Sequence, residues 1–164
     1  MTKDALIVFF KAPERGRVKT RLAAHLGDDV TLGLYLAFLA DLADLAGSVS
    51  TKTVVVYDGM EKQPPQSFSG MPCFLQRGAA IGEKMANALA DVFGMGIDRA
   101  VLIGSDLPDL PADYLRQAFE KLDGSQVVLG PATDGGYYLI GFRKESFSRA
   151  LFSDIGWGGP SVLS

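Results

Sequence analysis

Apolar residues along the chain fall into short continuous runs separated by longer stretches with a three-to-four-residue rhythm. Ala5 to Phe10 is an unbroken run of branched and aromatic residues that ends at a segment holding Pro13 and Gly16, which predicts a buried strand feeding a loop. From Val18 the pattern turns helical and breaks at Gly27. Asp28 or Asp29 can cap a longer helix in which Leu32, Tyr35, Leu36, Leu39, Leu42 and Leu45 recur on one side, with Gly47 as its stop. Thr53 to Tyr57 reads as a second strand, and the polar stretch with Pro64, Pro65 and Gly70 as a loop. Pro72 to Gln76 is a short third strand. Ile81, Met85, Leu89, Val92 and Phe93 mark a helix face closed by Gly94 and Gly96. Arg99 to Ile103, Gln126 to Leu129 and Tyr137 to Phe142 complete the strands, with a helix from Ala112 to Leu122 after Pro111.

Strands alternating with helices predict an α/β fold. The expectation is a three-layer α/β/α sandwich with a mostly parallel sheet covered on both faces. No repeat, linker or low-complexity tract divides it, and 164 residues are about one domain. In such a sheet ligands sit beyond the carboxyl ends of the strands, which directs attention to the loops after Phe10, Gln76, Ile103 and Leu129.

Composition narrows the function classes. With 48% hydrophobic and 21% charged residues the chain can bury a core without staples, and its single cysteine, Cys73, excludes an internal disulfide framework and fits a reducing cytoplasm. No uninterrupted apolar run of membrane-spanning length and no secretory signal is present, so a soluble, cytoplasmic protein with no membrane partner is expected. The net charge is -3, unevenly spread. Lys11, Arg15, Arg17, Lys19 and Arg21, opposed only by Glu14, give one loop +4 and leave -7 for the rest. An acidic chain with one local basic cluster suits a small anion and not a nucleic-acid backbone.

The basic loop, KAPERGRVKTRL from Lys11 to Leu22, has the ingredients of a phosphate or pyrophosphate cradle: cations, a glycine at Gly16 for close backbone approach, and a helix start. It has neither Walker A nor dinucleotide spacing, and a solvated helix start is the alternative. In GSDLPDL, Asp106 follows a buried strand, where an unpartnered carboxylate is costly. A magnesium ion shared with phosphate oxygens would satisfy it, while Asp109 is a second ligand or a helix cap. Ser105 lacks the G-x-S-x-G context of a hydrolase nucleophile. DGGYYLIG supplies a second carboxylate, Asp134, beside Gly135 and Gly136, although Asp-Gly also builds a tight hairpin turn. Tyr137 and Tyr138 should face opposite sides of a strand. Gly78 and Gly82 bracket a small-residue turn that could admit a flat base or sugar, with Gln76, Arg77 or Asn87 as donors; Glu83 and Lys84 read as helix-start and solvated charges. His25, alone among leucines, has no spacing for a metal cluster or triad, and Cys73 reads as a small strand residue.

Taken in order, ALIVFFKAPERGRVKTRL, QRGAAIGEKMANA, VLIGSDLPDL, VVLGPATDGGYYLIG and SDIGWGGPSVL resemble the DUF2064 family over almost the whole chain. These are bacterial proteins associated with glycosyl or nucleotidyl transfer and with the nucleotide-diphospho-sugar transferase (GT-A, Rossmann-like) fold. The family is similar to guanylyltransferases of molybdenum-cofactor and deazaflavin-cofactor biosynthesis, and some relatives are named as arsenosugar-biosynthesis glycosyltransferases. The resemblance implies a nucleotide across the carboxyl edge of the sheet. Arg15, Gly16, Arg17, Lys19 and Arg21, with Lys11, match the phosphate loop; Asp106 matches the aspartate that holds Mg2+ or Mn2+; Asp134, Gly135 and Gly136, with Tyr137, match the acceptor side. Two departures stand out. Ala80 replaces a common aspartate, and the chain ends at Ser164, before the helix and acidic D-V-D motif of longer relatives. Residues 1–164 are therefore expected to form a single domain lacking that C-terminal segment.

The expected activity is a metal-dependent glycosyltransferase or nucleotidyltransferase acting on a nucleotide-sugar or nucleoside triphosphate and a small-molecule acceptor, with Asp106 and Asp134 as its catalytic carboxylates. The alternative is a noncatalytic nucleotide-binding or scaffolding domain. A hydrolase using Asp106 as nucleophile would lack the paired D-x-D arrangement.

Overall fold

A computed structural model describes residues 3–59, 64–153, 155–157 and 162. The SDIGWGGPSVL segment therefore lies partly outside the described residues. The chain runs β1 (Asp4–Lys11), α1 (Thr20–Leu26), α2 (Asp28–Ser48), β2 (Lys52–Asp58), β3 (Cys73–Leu75), α3 (Ile81–Gly94), β4 (Arg99–Ile103), α4 (Ala112–Gly124), β5 (Val127–Pro131) and β6 (Tyr137–Arg143). The six strands form one sheet in the order β3-β2-β1-β4-β6-β5. β3, β2, β1 and β4 are parallel; β6 runs antiparallel to both β4 and β5.

Alternation along β1 builds the layers. Leu6, Val8 and Phe10 join Tyr35, Leu39 and Leu42 of α2 and Leu115, Ala118 and Leu122 of α4 in one core. Ala5, Ile7 and Phe9 point the other way, into a core with Met85, Leu89, Val92 and Phe93 of α3. A strand apolar at every position from Ala5 to Phe10 thus serves two helical layers, as that uninterrupted run implies. The arrangement is the expected three-layer α/β/α sandwich.

From β1 the chain crosses to β2 and β3 on one side, then returns to β4 on the other. The strand order reverses between β1 and β4, and a crevice at that reversal is where open α/β sheets bind ligands. The loops that leave these two strands are the basic loop and the Asp106 turn.

Several element ends differ from the sequence reading. α1 begins at Thr20 and not Val18, because Lys19 adopts a left-handed backbone (φ 46) that no helix can continue. α2 takes Gly27 as its N-cap, so neither Asp28 nor Asp29 caps it, and it passes Gly47 to end at Ser48. It is also less one-sided than its leucine rhythm suggests: Val30, Leu34 and Leu36 are exposed. Its length and mean hydropathy of 1.5 would suit a membrane span, but Thr31, Tyr35, Leu39, Leu42, Ala43, Leu45 and Ala46 are buried, as in a core helix. The Asp134-Gly135 connection is longer than a two-residue turn. It spans 132–136 and closes with the Ala132 amide donating to the Gly136 carbonyl at 2.8 Å.

β6 sits between β4 and β5, so its glycine is a tight point. A Cβ on Gly141 would lie 2.8 Å from Val128 Cγ1 and 2.9 Å from Val101 Cγ2. Gly141→Val should therefore cost roughly 1–3 kcal/mol through overpacking, read as a lowered urea midpoint with an unchanged slope.

Candidate functional site

The basic loop leaves β1 at Lys11 and returns to regular structure at Thr20. Its cations are arranged less freely than their sequence density suggests. The Arg15 guanidinium donates to Asp29 Oδ1 at 2.6 Å and lies 3.5 Å from Asp28. Its hydrogen bond and charge hold the Asp29 carboxyl below the ordinary aspartate range. Arg17 donates to Glu14 at 2.7 Å. Both arginines are exposed, so these pairs contribute little stability and can be exchanged for a phosphate. Gly16 takes a positive φ of 74, which gives the loop its sharp bend. Lys11, Ala12, Glu14, Arg17, Asp58 and Gly59 line a small cavity of about 60 Å³ between the ends of β1 and β2. Arg21 is an exposed residue of α1.

Lys19 crosses to the other side of the crevice. Its ammonium pairs with Asp106 Oδ1, and its side chain is largely covered while the Asp106 carboxylate is 88% exposed. The same ammonium stands 5.7 Å from the centre of the Tyr35 ring. A lysine in the left-handed region costs about 1 kcal/mol or more, and these contacts are what hold it there. Asp106 and Lys19 are 87 positions apart in sequence, so the fold has joined the two motifs that the sequence singled out separately.

The remaining candidates divide. Asp134 is exposed and its Oδ1 accepts the Gly136 amide at 3.1 Å, an Asx-type turn with Gly135 at φ 87. It lies at the same sheet edge as Asp106, because β6 pairs with β4 from Ile103 and Leu139 onward. Tyr137 faces away from that turn. Its hydroxyl is 3.8 Å from Met85 Sδ, its ring meets Trp157 edge-on, and burial pushes its phenol up to about 12. Tyr138 packs on the opposite face beside Tyr114, as alternation requires.

Around α3, the donors anticipated for a base are engaged within the protein. The Gln76 amide donates to the Phe10 carbonyl at 2.9 Å, Arg77 forks onto Asp91 at 2.6 and 2.8 Å, and Asn87 donates to the Arg77 carbonyl at 2.7 Å. Gly78 has φ 129, with a Cβ there only 2.9 Å from Glu83 Cγ. The Glu83 carboxylate accepts the Ala79 amide at 2.8 Å. The opening left by Gly82 is filled by the Trp157 indole, which would collide with any Cβ at that position. Gly82→Ala should therefore displace Trp157. Indole fluorescence should shift to the red as the ring gains water, and an unchanged spectrum would contradict this packing.

Asp109 is exposed and makes no cap, since Pro111 is the N-cap of α4 without a side-chain hydrogen bond. His25 lies exposed at the end of α1. Cys73 is half-buried and its thiol donates to the Met71 carbonyl. Among the described residues no three His, Cys, Asp or Glu side chains converge in a way that could hold a metal ion.

Five residues at this edge make contacts that the sequence pattern did not assign to them. Asp58 ends β2 as Asp106 follows β4, and Lys84 reaches it at 2.8 Å instead of standing in solvent. Gly59 lets the end of β2 approach Ala12, whose Cβ would clash with a side chain there. Tyr35 and Ser105 meet beneath Lys19, their oxygens 3.2 Å apart.

Comparison with known proteins agrees with this geometry. A family profile described as "Uncharacterized protein conserved in bacteria (DUF2064)" matches residues 41–159. The chain belongs to the DUF2064 family. A structure from Desulfovibrio desulfuricans G20, described as a "putative nucleotide-diphospho-sugar transferase", is 37% identical, with a TM-score of 0.89 over 96% of this chain and 71% of that one. At fold level only, the DUF2064 chain is similar to a CMP:2-keto-3-deoxy-manno-octonic acid synthetase complexed with CTP (11% identity, TM-score 0.52, 88% of this chain and 76% of that one). It is likewise similar to Rv0371c of Mycobacterium tuberculosis H37Rv in complex with manganese (17%, 0.53, 92% and 73%). No curated protein matched the chain. The fold of this DUF2064 member is thus that of the nucleotide-diphospho-sugar transferases and cytidylyltransferases. Because the profile match begins inside α2, the basic loop of residues 11–21 lies outside it.

Proposed function

We propose that the protein is a divalent-metal-dependent transferase that takes a nucleoside triphosphate or a nucleotide-sugar and passes a nucleotidyl or glycosyl group to a small-molecule acceptor. One observation carries the proposal: Lys19 of the basic loop and Asp106 of the β4 turn meet across the strand-order reversal. A cation-rich loop and an exposed carboxylate facing one another suit a ligand that carries negative charge and brings a metal with it.

The donor set fits Mg2+ or Mn2+ in a specific sense. One exposed aspartate is too little for an all-protein cage but enough for an ion that keeps waters and shares phosphate oxygens. A bound ion of this kind neutralises phosphate charge and orients the leaving group. Asp106 would hold it. Lys19, Arg17 and Lys11 would bind the phosphates, Arg17 by leaving Glu14, and would offset charge developing on the departing pyrophosphate or nucleoside diphosphate. Asp134 would orient the acceptor from the neighbouring connection. Positioning and electrostatics supply the rate, and no covalent intermediate is required.

A product assay tests the reading. Nucleoside triphosphates with phosphorylated acceptors should release pyrophosphate under nucleotidyl transfer, and nucleotide-sugars should release nucleoside diphosphate under glycosyl transfer. Stabilisation by nucleotide without either product, across a broad acceptor panel, would favour a noncatalytic nucleotide-binding domain instead.

A further inference from the structure

Tyr35 is the one hydroxyl-bearing aromatic in the leucine-rich stretch of α2. Its ring belongs to the core beside β1 and only 2% of the residue is exposed, yet its hydroxyl ends at the crevice. That hydroxyl donates to the Lys11 carbonyl at 2.8 Å and lies 3.2 Å from Ser105 Oγ. A phenol has one proton, so with Lys11 as its acceptor the bond to Ser105 has the serine hydroxyl as donor. Lys11 starts the basic loop and Ser105 immediately precedes Asp106. The face of the same ring supports the Lys19 ammonium. Both walls of the site and the lysine that spans them are therefore referenced to one side chain on a long helix.

We infer that Tyr35 is a positioning residue for the phosphate and metal site, its hydroxyl fixing the separation of the Lys11 carbonyl from the Ser105-Asp106 turn. This inference rests on the transferase reading for its ligand, but its geometry does not. Burial raises the phenol pKa, which keeps the proton in place for the Lys11 carbonyl at physiological pH. The role is architectural: the hydroxyl touches backbone and Ser105, and it works through the placement of Lys19 and Asp106.

Tyr35→Phe isolates the hydroxyl, since the ring, its packing and its face toward Lys19 remain. With inorganic triphosphate and Mg2+ as the probe in calorimetry, Kd should rise about tenfold, as for loss of one well-placed hydrogen-bonded bridge. Ser105→Ala should give part of the same loss, and the double variant little more than Tyr35→Phe alone, because both changes break the same bridge. Hydrogen exchange supplies a readout that needs no ligand. In Tyr35→Phe the amides of residues 11–19 and 104–107 should exchange faster together, with α2 unchanged. Additive losses, or unchanged exchange in both loops, would overturn the inference. If the wild-type protein bound no triphosphate the transferase reading would fall, and exchange alone would decide the role of Tyr35.

Discussion

Asp106→Asn should abolish the metal-dependent part of nucleotide binding while leaving the fold intact. At a ligand concentration 100 times Kd, binding stabilises the folded state by about 2.7 kcal/mol. For a chain of this size that is a rise in Tm of roughly 5–10 °C. The asparagine is isosteric but neutral and is a poor ligand for a hard dication, so the portion of the shift that appears only with Mg2+ or Mn2+ should vanish. The ligand-free protein should change little, since the Asp106 carboxylate is 88% exposed and surface ion pairs are worth about 0–1 kcal/mol. Thermal melts of both proteins, with and without metal at fixed nucleotide, check this. An equal metal-dependent shift in the variant would remove Asp106 from the site.

The second large effect is expected at Lys19, where backbone geometry chooses the substitution. Because φ is 46 there, alanine would keep the strain the lysine already carries while losing the contacts that hold it, and glycine avoids that strain. Lys19→Gly keeps the loop path while removing the cation together with the left-handed strain its side chain imposes. Loss of one charge-assisted phosphate contact, worth about 1.5–3 kcal/mol, should raise the nucleotide Kd roughly 10- to 150-fold. Adding Arg17→Ala should weaken binding further. The ligand-free Lys19→Gly protein should melt no lower than wild type, since relief of the left-handed strain offsets the lost pair with Asp106. Calorimetry with the nucleotide that stabilises wild type most checks both. Wild-type affinity in Lys19→Gly would move the phosphate site elsewhere, and a large fall in Tm would assign the lysine a structural role.

The layers and the two main motifs were legible because each rests on local pattern. β1 from Ala5 to Phe10 and β4 from Ala100 to Ile103 are unbroken apolar runs, and a charged loop directly after a buried strand marks the ligand-binding edge of such a sheet wherever the strand comes to lie. What sequence could not supply was partnership across distance. Arg15 reads as a free cation until α2 places Asp28 and Asp29 beside it. Gln76 reads as a ligand donor until β3 carries it to the Phe10 carbonyl. The antiparallel course of β6 was hidden as well, because Asp-Gly-Gly is equally at home in a hairpin connection and in a ligand loop.

Tyr35 shows the difficulty most clearly. In a helix with leucines at every third or fourth position, a tyrosine satisfies the apolar rhythm, and its hydroxyl is easily set aside. The available signal was chemical: a buried tyrosine usually finds a partner for its hydroxyl, so a tyrosine in a core stripe asks what lies at its tip. Asp58 carried the same signal as Asp106, a carboxylate at the end of an apolar strand.

Nucleotide phosphates and a divalent ion should meet at the strand-order reversal between β1 and β4. Paramagnetic broadening by Mn2+ tests it most directly. In an amide correlation spectrum of the nucleotide-saturated protein, substoichiometric Mn2+ should selectively broaden residues 11–19 and 104–107. Residues 48–51, at the opposite edge of the sheet, should remain sharp. Broadening centred on any other region, or uniform loss of signal with no focus at Asp106, would remove the metal from this crevice.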